Sequence, residues 1–322
     1  MDTQESPLLS IIIVNYNVKD ELLHCIQSIK DTIVSEKHPV SYEIIVSDNG
    51  STDGSGEAVR EKFPWVVEIQ NGANLGFGKA NNVGAKRAQG KILFFLNPDT
   101  ILKRGISEMT NSIVDHPEVG LIGPLIFDQN GNETTYFPTP VHTNILLQIL
   151  DLFFTPGVKL FYSSERHRFK RNIKRKNVFP VRYISGCAMM IPADLFHRLS
   201  GFDESIFMYE EEVDLCIKIR KQGYKIVLNR DTQLIHLVGR STQKQTNEVY
   251  AQRITKALKI FLQNNFKRTW LIRYRIKMIR EIRDMFFSYV NAIVLWILRK
   301  DYKIHLSKVS THKAILRELK NG

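Results

Sequence analysis

The chain has 322 residues, 43% hydrophobic and 24% charged, which excludes a wholly disordered or collagen-like protein and leaves room for about two domains. Forty-five Lys and Arg against 33 Asp and Glu give a formal net charge of +12, and the excess is local. Residues 166–182 hold eight basic residues and no acid, and the stretch from Phe266 onward holds fourteen against four, so an acidic body carries two basic appendages.

The first residues are acidic and polar, without the basic start of a secretory signal, and Cys25, Cys187 and Cys216 fit neither a metal spacing nor an even disulfide set. A reducing, cytoplasmic location is therefore expected. Short apolar runs then alternate with helical patterns. Strands are predicted at 9–14, 43–47, 65–69 and 91–96, and helices at 19–32, 55–62 and 77–89, the mark of an α/β protein with a parallel sheet. Ligands of such sheets bind outside the carboxyl ends of the strands, which singles out the loops 15–18, 48–55, 71–76 and 97–100.

An insertion follows at about 134–180, with an apolar helical stretch at 144–154, a Pro156-Gly157 break and the first basic block. Further strands are predicted at 185–191 and 225–228, with a helix at about 209–222 stopped by Gly223. These features describe a first domain over 1–243 that contains the insertion, followed by a basic helical tail over 244–322. The apolar run 285–298 is interrupted by Ser288 and Asn291 and is shorter than the roughly eighteen residues of a spanning helix, so an interfacial or buried helix is expected.

Four constellations carry chemistry. Asp48, at a strand end with a helix start behind it, is either part of a polar turn or a carboxylate for a base or ribose. The Gly and Asn cluster 74–84 is either a tight turn or a row of backbone N–H groups for a sugar nucleotide. Asp99 reads as an N-cap or as a ligand of a diphosphate-bound cation, which needs only one or two protein carboxylates; His236 is either a second ligand or a core histidine. Glu210, Glu211, Glu212 and Asp214 place four carboxylates within five residues; helix-dipole compensation accounts for one or two of them, and mutual repulsion of the rest suits a general base.

In order, VNYN (14–17), SDNGSTDGS (47–55), NLGFGKANN (74–82), LNPDT (96–100), SGCAMMIP (185–192), GFDESIFMYEEEVDLCIKIRKQGY (201–224) and the His236 region resemble glycosyltransferase family 2, in its bacterial rhamnosyltransferase-like branch. The resemblance covers about residues 8–242 and implies a GT-A fold, a Rossmann-like mixed sheet flanked by helices, which performs inverting transfer from a nucleotide-diphosphate sugar with Mg²⁺ or Mn²⁺. It places Asp48 at the nucleotide base, with Asn15, Tyr16, Asn49, Asp53, Asn74, Gly76 and Lys79 around the nucleotide and Asn97 and Gly186 at the donor sugar. Asp99 matches the metal-binding acid, with His236 as an additional ligand. Glu212 stands where the family's base is usually Asp, one methylene longer, and Glu211 or Asp214 could share the role. Asn97 stands where the family's acidic triplet has a carboxylate, so weak cation binding without donor is expected.

In the tail, Trp270, Leu271, Ile272, Ile276, Ile279, Ile282, Phe286 and Phe287 alternate with Arg273, Arg275, Lys277, Arg280 and Arg283, as in helices lying in an anionic headgroup layer. A helix docked on the body or a homodimer contact is the competing reading. The favoured expectation is peripheral attachment to the inner membrane face, with a lipid-linked saccharide acceptor in cell-surface polysaccharide synthesis and rhamnose as the favoured sugar. No nucleic-acid partner is expected, because the basic residues interleave with aliphatic bulk instead of forming a stacking platform. A non-catalytic sugar-nucleotide-binding scaffold would keep the Asp48 and Asn74 loops without needing Glu212.

Overall fold

The computed structural model describes residues 6–134, 145–153, 171, 175–237, 246–297 and 301–321, apart from the side chains of Leu147, Asp151, Phe153, Trp296 and Asn321. The expected Pro156-Gly157 break, residues 166–170 and 172–174 of the basic block and the expected end of the body near Thr242 lie outside them. The chain divides into two compact units. The first comprises Met1–Phe137, Lys170–Phe207 and Glu211–Gln243; the second comprises Pro138–Phe169, Met208–Glu210 and Lys244–Gly322.

The first unit opens with β1 (Leu9–Asn15), α1 (Lys19–Ser35), β2 (Tyr42–Asp48), α2 (Ser55–Lys62), β3 (Val67–Gln70), α3 (Phe77–Arg87) and β4 (Ile92–Leu96). The four strands pair in parallel in the order β3-β2-β1-β4. Ile11, Ile13, Ile44, Val46 and Phe94 are buried within one core with Leu22, Ile26 and Ile29 of α1, which is why these strands read as continuous apolar runs.

The sheet is then extended by elements that the residue pattern does not announce. They are β5 (Thr100–Arg104), α4 (Ile106–Asp115), β6 (Val119–Phe127) and β7 (Val178–Pro180). The predicted strand at 185–191 is β8 (Ala188–Pro192), followed by α6 (Ala193–Arg198) and α7 (Glu211–Lys221). The strand predicted at 225–228 runs on as β9 (Lys225–His236). Among the described residues the sheet has nine strands in the order β3-β2-β1-β4-β8-β6-β9-β5, with β7 paired to β9. β8 is antiparallel to β4, and β6 runs parallel to β9. The carboxyl ends of β1, β2, β4, β6 and β9 therefore share one edge.

Local chemistry explains what the pattern hid. β6 contains Pro124, which argues against an inner strand, and the ladder to β9 shifts register between Pro124 and Leu125. β9 crosses the polar run Asn229-Arg230-Asp231, where Asn229 Oδ1 accepts the N–H groups of Asp231 and Thr232. α4 starts at Gly105 without a capping side chain of its own; the Glu36 carboxylate, seventy residues earlier, accepts the N–H groups of Gly105, Ile106 and Ser107.

The second unit contains α5 (Ile145–Phe153), α8 (Asn247–Asn265), α9 (Trp270–Ile297) and α10 (Lys303–Asn321), with α5, α8 and α10 packed against α9. Glu281 of α9 is buried between Lys277 Nζ at 2.5 Å and His312 Nδ1 at 2.6 Å. The Tyr209 ring meets that of Tyr250 edge-on at 5.6 Å. Tyr209 (φ 74°) and Glu210 (φ 70°) both lie in the left-handed region, an arrangement that costs of order 1–3 kcal/mol per residue. Burial pushes the Glu210 carboxyl up to about 7, against the opposing pull of Lys277. No helix among the described residues is long and apolar enough to cross a membrane.

Candidate functional site

The register of β1 and β2 sets Asn15 opposite Asp48 at the carboxyl edge of the sheet. Both are buried, Asp48 at 1% exposure. Asp48 Oδ2 accepts from Asn15 Nδ2 at 2.7 Å, while Oδ1 accepts the N–H groups of Gly50 at 2.9 Å and Ser51 at 2.7 Å. A carboxylate offers about four acceptor positions, so the loop uses three of them. Asn15 also donates to Ser51 Oγ at 2.9 Å, and its Oδ1 is buried with no hydrogen-bond partner among the described residues. Leaving such an acceptor unmet costs about 1–3 kcal/mol unless a ligand or water supplies a donor. Next to it, Tyr16 is 42% exposed, an aromatic face open at the mouth of the loop.

Asp53 ties two helix starts together. Its Oδ2 accepts Lys19 N of α1 at 2.9 Å, and its Oδ1 accepts Ser55 N of α2 at 3.1 Å and the Ser55 hydroxyl. Burial acts to raise its carboxyl, but the Ser55 hydroxyl and these backbone donors hold it below the usual value. Asn17, at φ 54°, completes the turn by accepting Thr52 N.

A chain of amides links this loop to the next. Asn49 Oδ1 accepts from Asn71 Nδ2 at 3.0 Å and Leu75 N at 3.4 Å, and Asn49 Nδ2 donates to the Gly76 carbonyl at 3.2 Å. Asn74 Oδ1 accepts Gly76 N at 3.0 Å. Gly76 has φ 83°, and a Cβ there would run into the Phe207 carbonyl, which accepts Phe77 N at 2.9 Å. Lys79 faces Glu204 at 3.8 Å. Asn82, which sequence reasoning did not single out, holds the Gly201-Phe202 turn: its Nδ2 donates to Phe202 O at 2.9 Å and its Oδ1 accepts Phe202 N at 3.0 Å.

The end of β4 builds the second half of the site. Asn97 N donates to Cys187 O at 2.9 Å, placing the Gly186-Cys187 turn beside the loop 97–100. Asp99, 2% exposed, sits with Oδ1 3.2 Å from His236 Nε2, held there by the antiparallel pairing of Thr100 with His236. Burial favours the neutral imidazole, but hydrogen bonding to Asp99 and Cys187 outweighs it and pushes His236 up to about 10, so the ring carries a proton that a cation bound at Nε2 would have to displace. The spacing suits two neighbouring ligands of an octahedral cation, which with bonds of roughly 2.1 Å lie about 3 Å apart. One carboxylate oxygen and one imidazole nitrogen form a donor set that Mn²⁺ or Mg²⁺ accepts when phosphate oxygens complete the shell. Among the described residues no group of three or more His, Cys, Asp and Glu is gathered for a metal.

The acidic cluster at the start of α7 divides by environment. Asp214, 2% exposed, pairs with Lys218 at 2.8 Å, and Glu211 is 5% exposed. Glu212 is half-buried and lies against Gly186, where an added Cβ would sit 3.5 Å from that of Glu212. Of the three, only Glu212 reaches both solvent and the Gly186 turn. The residues expected around the nucleotide, donor sugar and cation lie in the first unit, at strand ends and loops of one sheet edge or, for Lys79, in the first turn of α3; Glu211, Glu212 and Asp214 start α7, whereas Glu210 of the acidic cluster falls in the second unit. Cys187 was considered only for compartment and metal spacing, and its place beside His236 comes from the β4–β8 pairing.

A family model described as "Glycosyl transferase family 2" matches residues 10–199. The chain is 26% identical over 282 residues to an N-acetylglucosaminyl-diphospho-decaprenol L-rhamnosyltransferase of Mycobacterium tuberculosis, covering 82% of this chain and 86% of the relative. It is 22% identical over 232 residues to the rhamnosyltransferase WbbL of Escherichia coli, covering 68% and 79%. Among solved structures, a mannosyltransferase from Pyrobaculum calidifontis in complex with GDP-Man and Mn²⁺ superposes with a TM-score of 0.59 at 14% identity, covering 99% of this chain and 88% of that one. GalNAc-T7 with UDP, GalNAc and Mn²⁺ superposes with a TM-score of 0.53 at 17% identity; 78% of this chain spans about half, 48%, of that one.

Proposed function

Because the chain belongs to glycosyltransferase family 2 and has a GT-A-like fold, we propose that it transfers a sugar, rhamnose in the favoured reading, with inversion from a nucleoside-diphosphate donor to a lipid-linked saccharide acceptor in cell-surface polysaccharide synthesis. The rhamnosyl donor and lipid-diphosphate acceptor are suggested by the names of relatives, and the cation by Mn²⁺ in the structural neighbours. The observation that carries the mechanism is the gathering of Asp48, Asp99, His236 and the Gly186–Glu212 contact in one unit, all but Glu212 at strand ends and loops of a single sheet edge.

In this reading the base and ribose lie over Asn15, Tyr16, Asp48 and Asn74, where Asp48 keeps one acceptor position and Asn15 Oδ1 takes a ligand N–H or O–H. Asn49, Asp53 and Gly76 hold those loops in shape, and Lys79 contributes positive charge near the phosphates. Asn97 and Gly186 border the donor sugar. Asp99 and His236 would hold the divalent cation, which when bound neutralises charge on the leaving diphosphate. Glu212 accepts the proton of the acceptor hydroxyl as that oxygen bonds to the anomeric carbon, and the bond to the diphosphate oxygen breaks on the opposite face. Buried Asp214, paired with the partly exposed Lys218, and buried Glu211 flank the base in the sequence instead of replacing it.

The test is transfer from a nucleotide sugar to a prenyl-diphosphate saccharide. Glu212→Gln should lower turnover by roughly 10²–10⁴ while donor binding persists. Turnover within a few-fold of the parent would remove Glu212 from the role of base.

A further inference from the structure

The longest helix of the second unit is apolar on both sides, with Tyr274, Ile276 and Ala292 buried among polar groups and a second apolar face left exposed. A helix of a soluble protein buries its apolar stripe and exposes its charges. In α9 the charged and polar side chains Arg273, Glu281 and Ser288 are buried, at 7%, 4% and 9% exposure. Meanwhile Ile272, Ile279, Phe286, Phe287, Ile293 and Ile297 are exposed, Phe286 at 60%. The inward face is accounted for by the Lys277–Glu281–His312 network. The outward face runs from Ile272 to Ile297, roughly 40 Å of helix, and α5, packed on α9, adds exposed Leu146, Ile149 and Leu150. An apolar surface of this extent marks an interaction site.

We propose that this face is a docking surface for an anionic lipid bilayer, with α9 lying in the plane of the headgroups. Two observations select lipid over a second copy of the chain. The spacing Ile272, Arg275, Ile279, Ile282, Phe286, Tyr289 and Ile293 follows a coiled-coil seam, but exposed Phe287, Val290 and Val294 widen it into a broad face. Moreover, Arg275 is exposed within that face, so a parallel pair in register would bring two guanidinium groups together and an antiparallel pair would set each on apolar ground, whereas a lipid phosphate matches each one. The charge agrees, since the chain from Phe266 onward carries fourteen basic residues against four acidic. No helix among the described residues is long and apolar enough to cross a membrane. The inference stands on helix patterning and not on the transfer reaction, so either can fail alone.

The test is co-flotation of the full-length chain with vesicles of phosphatidylglycerol and phosphatidylcholine in equal parts, and with phosphatidylcholine alone, at low salt. Retention on the anionic vesicles should exceed that on the neutral ones by at least about tenfold. Phe286→Asp with Phe287→Asp should lose at least about tenfold in retention with unchanged helicity and melting temperature, because both rings are exposed. Arg275→Glu, a gentler change, should weaken retention on anionic vesicles only. Absence of flotation with anionic vesicles would overturn the proposal. So would a light-scattering dimer that the Phe286→Asp, Phe287→Asp pair dissociates in a chain that binds no vesicles, because a second copy would then cover the face.

Discussion

At the residue scale, the site separates groups that shape loops from groups left open for chemistry. Asp48 does both: it accepts Gly50 N, Ser51 N and Asn15 Nδ2, which leaves about one acceptor position. Asp48→Ala should therefore lower stability by about 1–3 kcal/mol, read from denaturant melts, in addition to weakening donor binding. Asp48→Asn keeps the shape but places an N–H₂ against donors; retention of full stability would mean that the loop does not depend on the carboxylate. Glu212 differs from Asp214 in having access to solvent and to the Gly186 turn. Asp214→Asn should act mainly on stability, because the Asp214 carboxylate is buried and held by Lys218, so its catalytic loss should shrink when folded protein is counted.

At the element scale, the loops depend on backbone that only particular residues tolerate. Gly76→Ala would press a methyl group into the Phe207 carbonyl at a positive φ and should cost about 1–3 kcal/mol in thermal unfolding. Asp53 caps α1 and α2 at once, and Asp53→Ala should cost about 1–2 kcal/mol. Its carboxyl is held low in the folded state, so that contribution is present above the ordinary Asp range and is lost as pH falls through the folded value. Glu210 has the opposite sign. With its carboxyl raised to about 7, the folded second unit favours the neutral form, so stability falls as pH rises from the ordinary Glu value through 7. Glu210→Gln should raise the melting temperature at pH 8 and leave it unchanged at pH 4; a shift equal at both pH values would rule out the titration.

The same scale shows what the residues disclosed. Strands β1, β2 and β4 and helices α1, α2 and α3 were legible because each buries a continuous run or a periodic stripe. The elements from β5 to β6 were not, because α4 takes its cap from Glu36 and β6 admits Pro124 at a register shift. Asp99 and His236 were legible as candidates from local motifs. Their approach to 3.2 Å needed the Thr100–His236 register, which no local pattern encodes. Asn82 and Cys187 act through turns brought in by the tertiary fold.

At the scale of the whole molecule, the first unit gathers the expected donor and cation residues, and the second exposes an apolar helix face among basic residues. The two claims are separable: loss of the lipid face should reduce transfer to a membrane-embedded acceptor and leave donor binding unchanged. With one carboxylate and one imidazole for the cation, Mn²⁺ alone should stabilise the protein little, and donor with Mn²⁺ much more.

The central claim is a sugar-nucleotide site completed by a cation at Asp99 and His236. Its most direct measurement is a thermal-shift screen of dTDP-rhamnose, UDP-glucose, UDP-galactose, UDP-N-acetylglucosamine and GDP-mannose, each with and without Mn²⁺, on the parent and on Asp99→Ala. We expect one donor to raise the parent's melting temperature in a Mn²⁺-dependent way, with the metal dependence lost in Asp99→Ala. No shift with any donor, or a Mn²⁺-dependent shift that survives in Asp99→Ala, would contradict it.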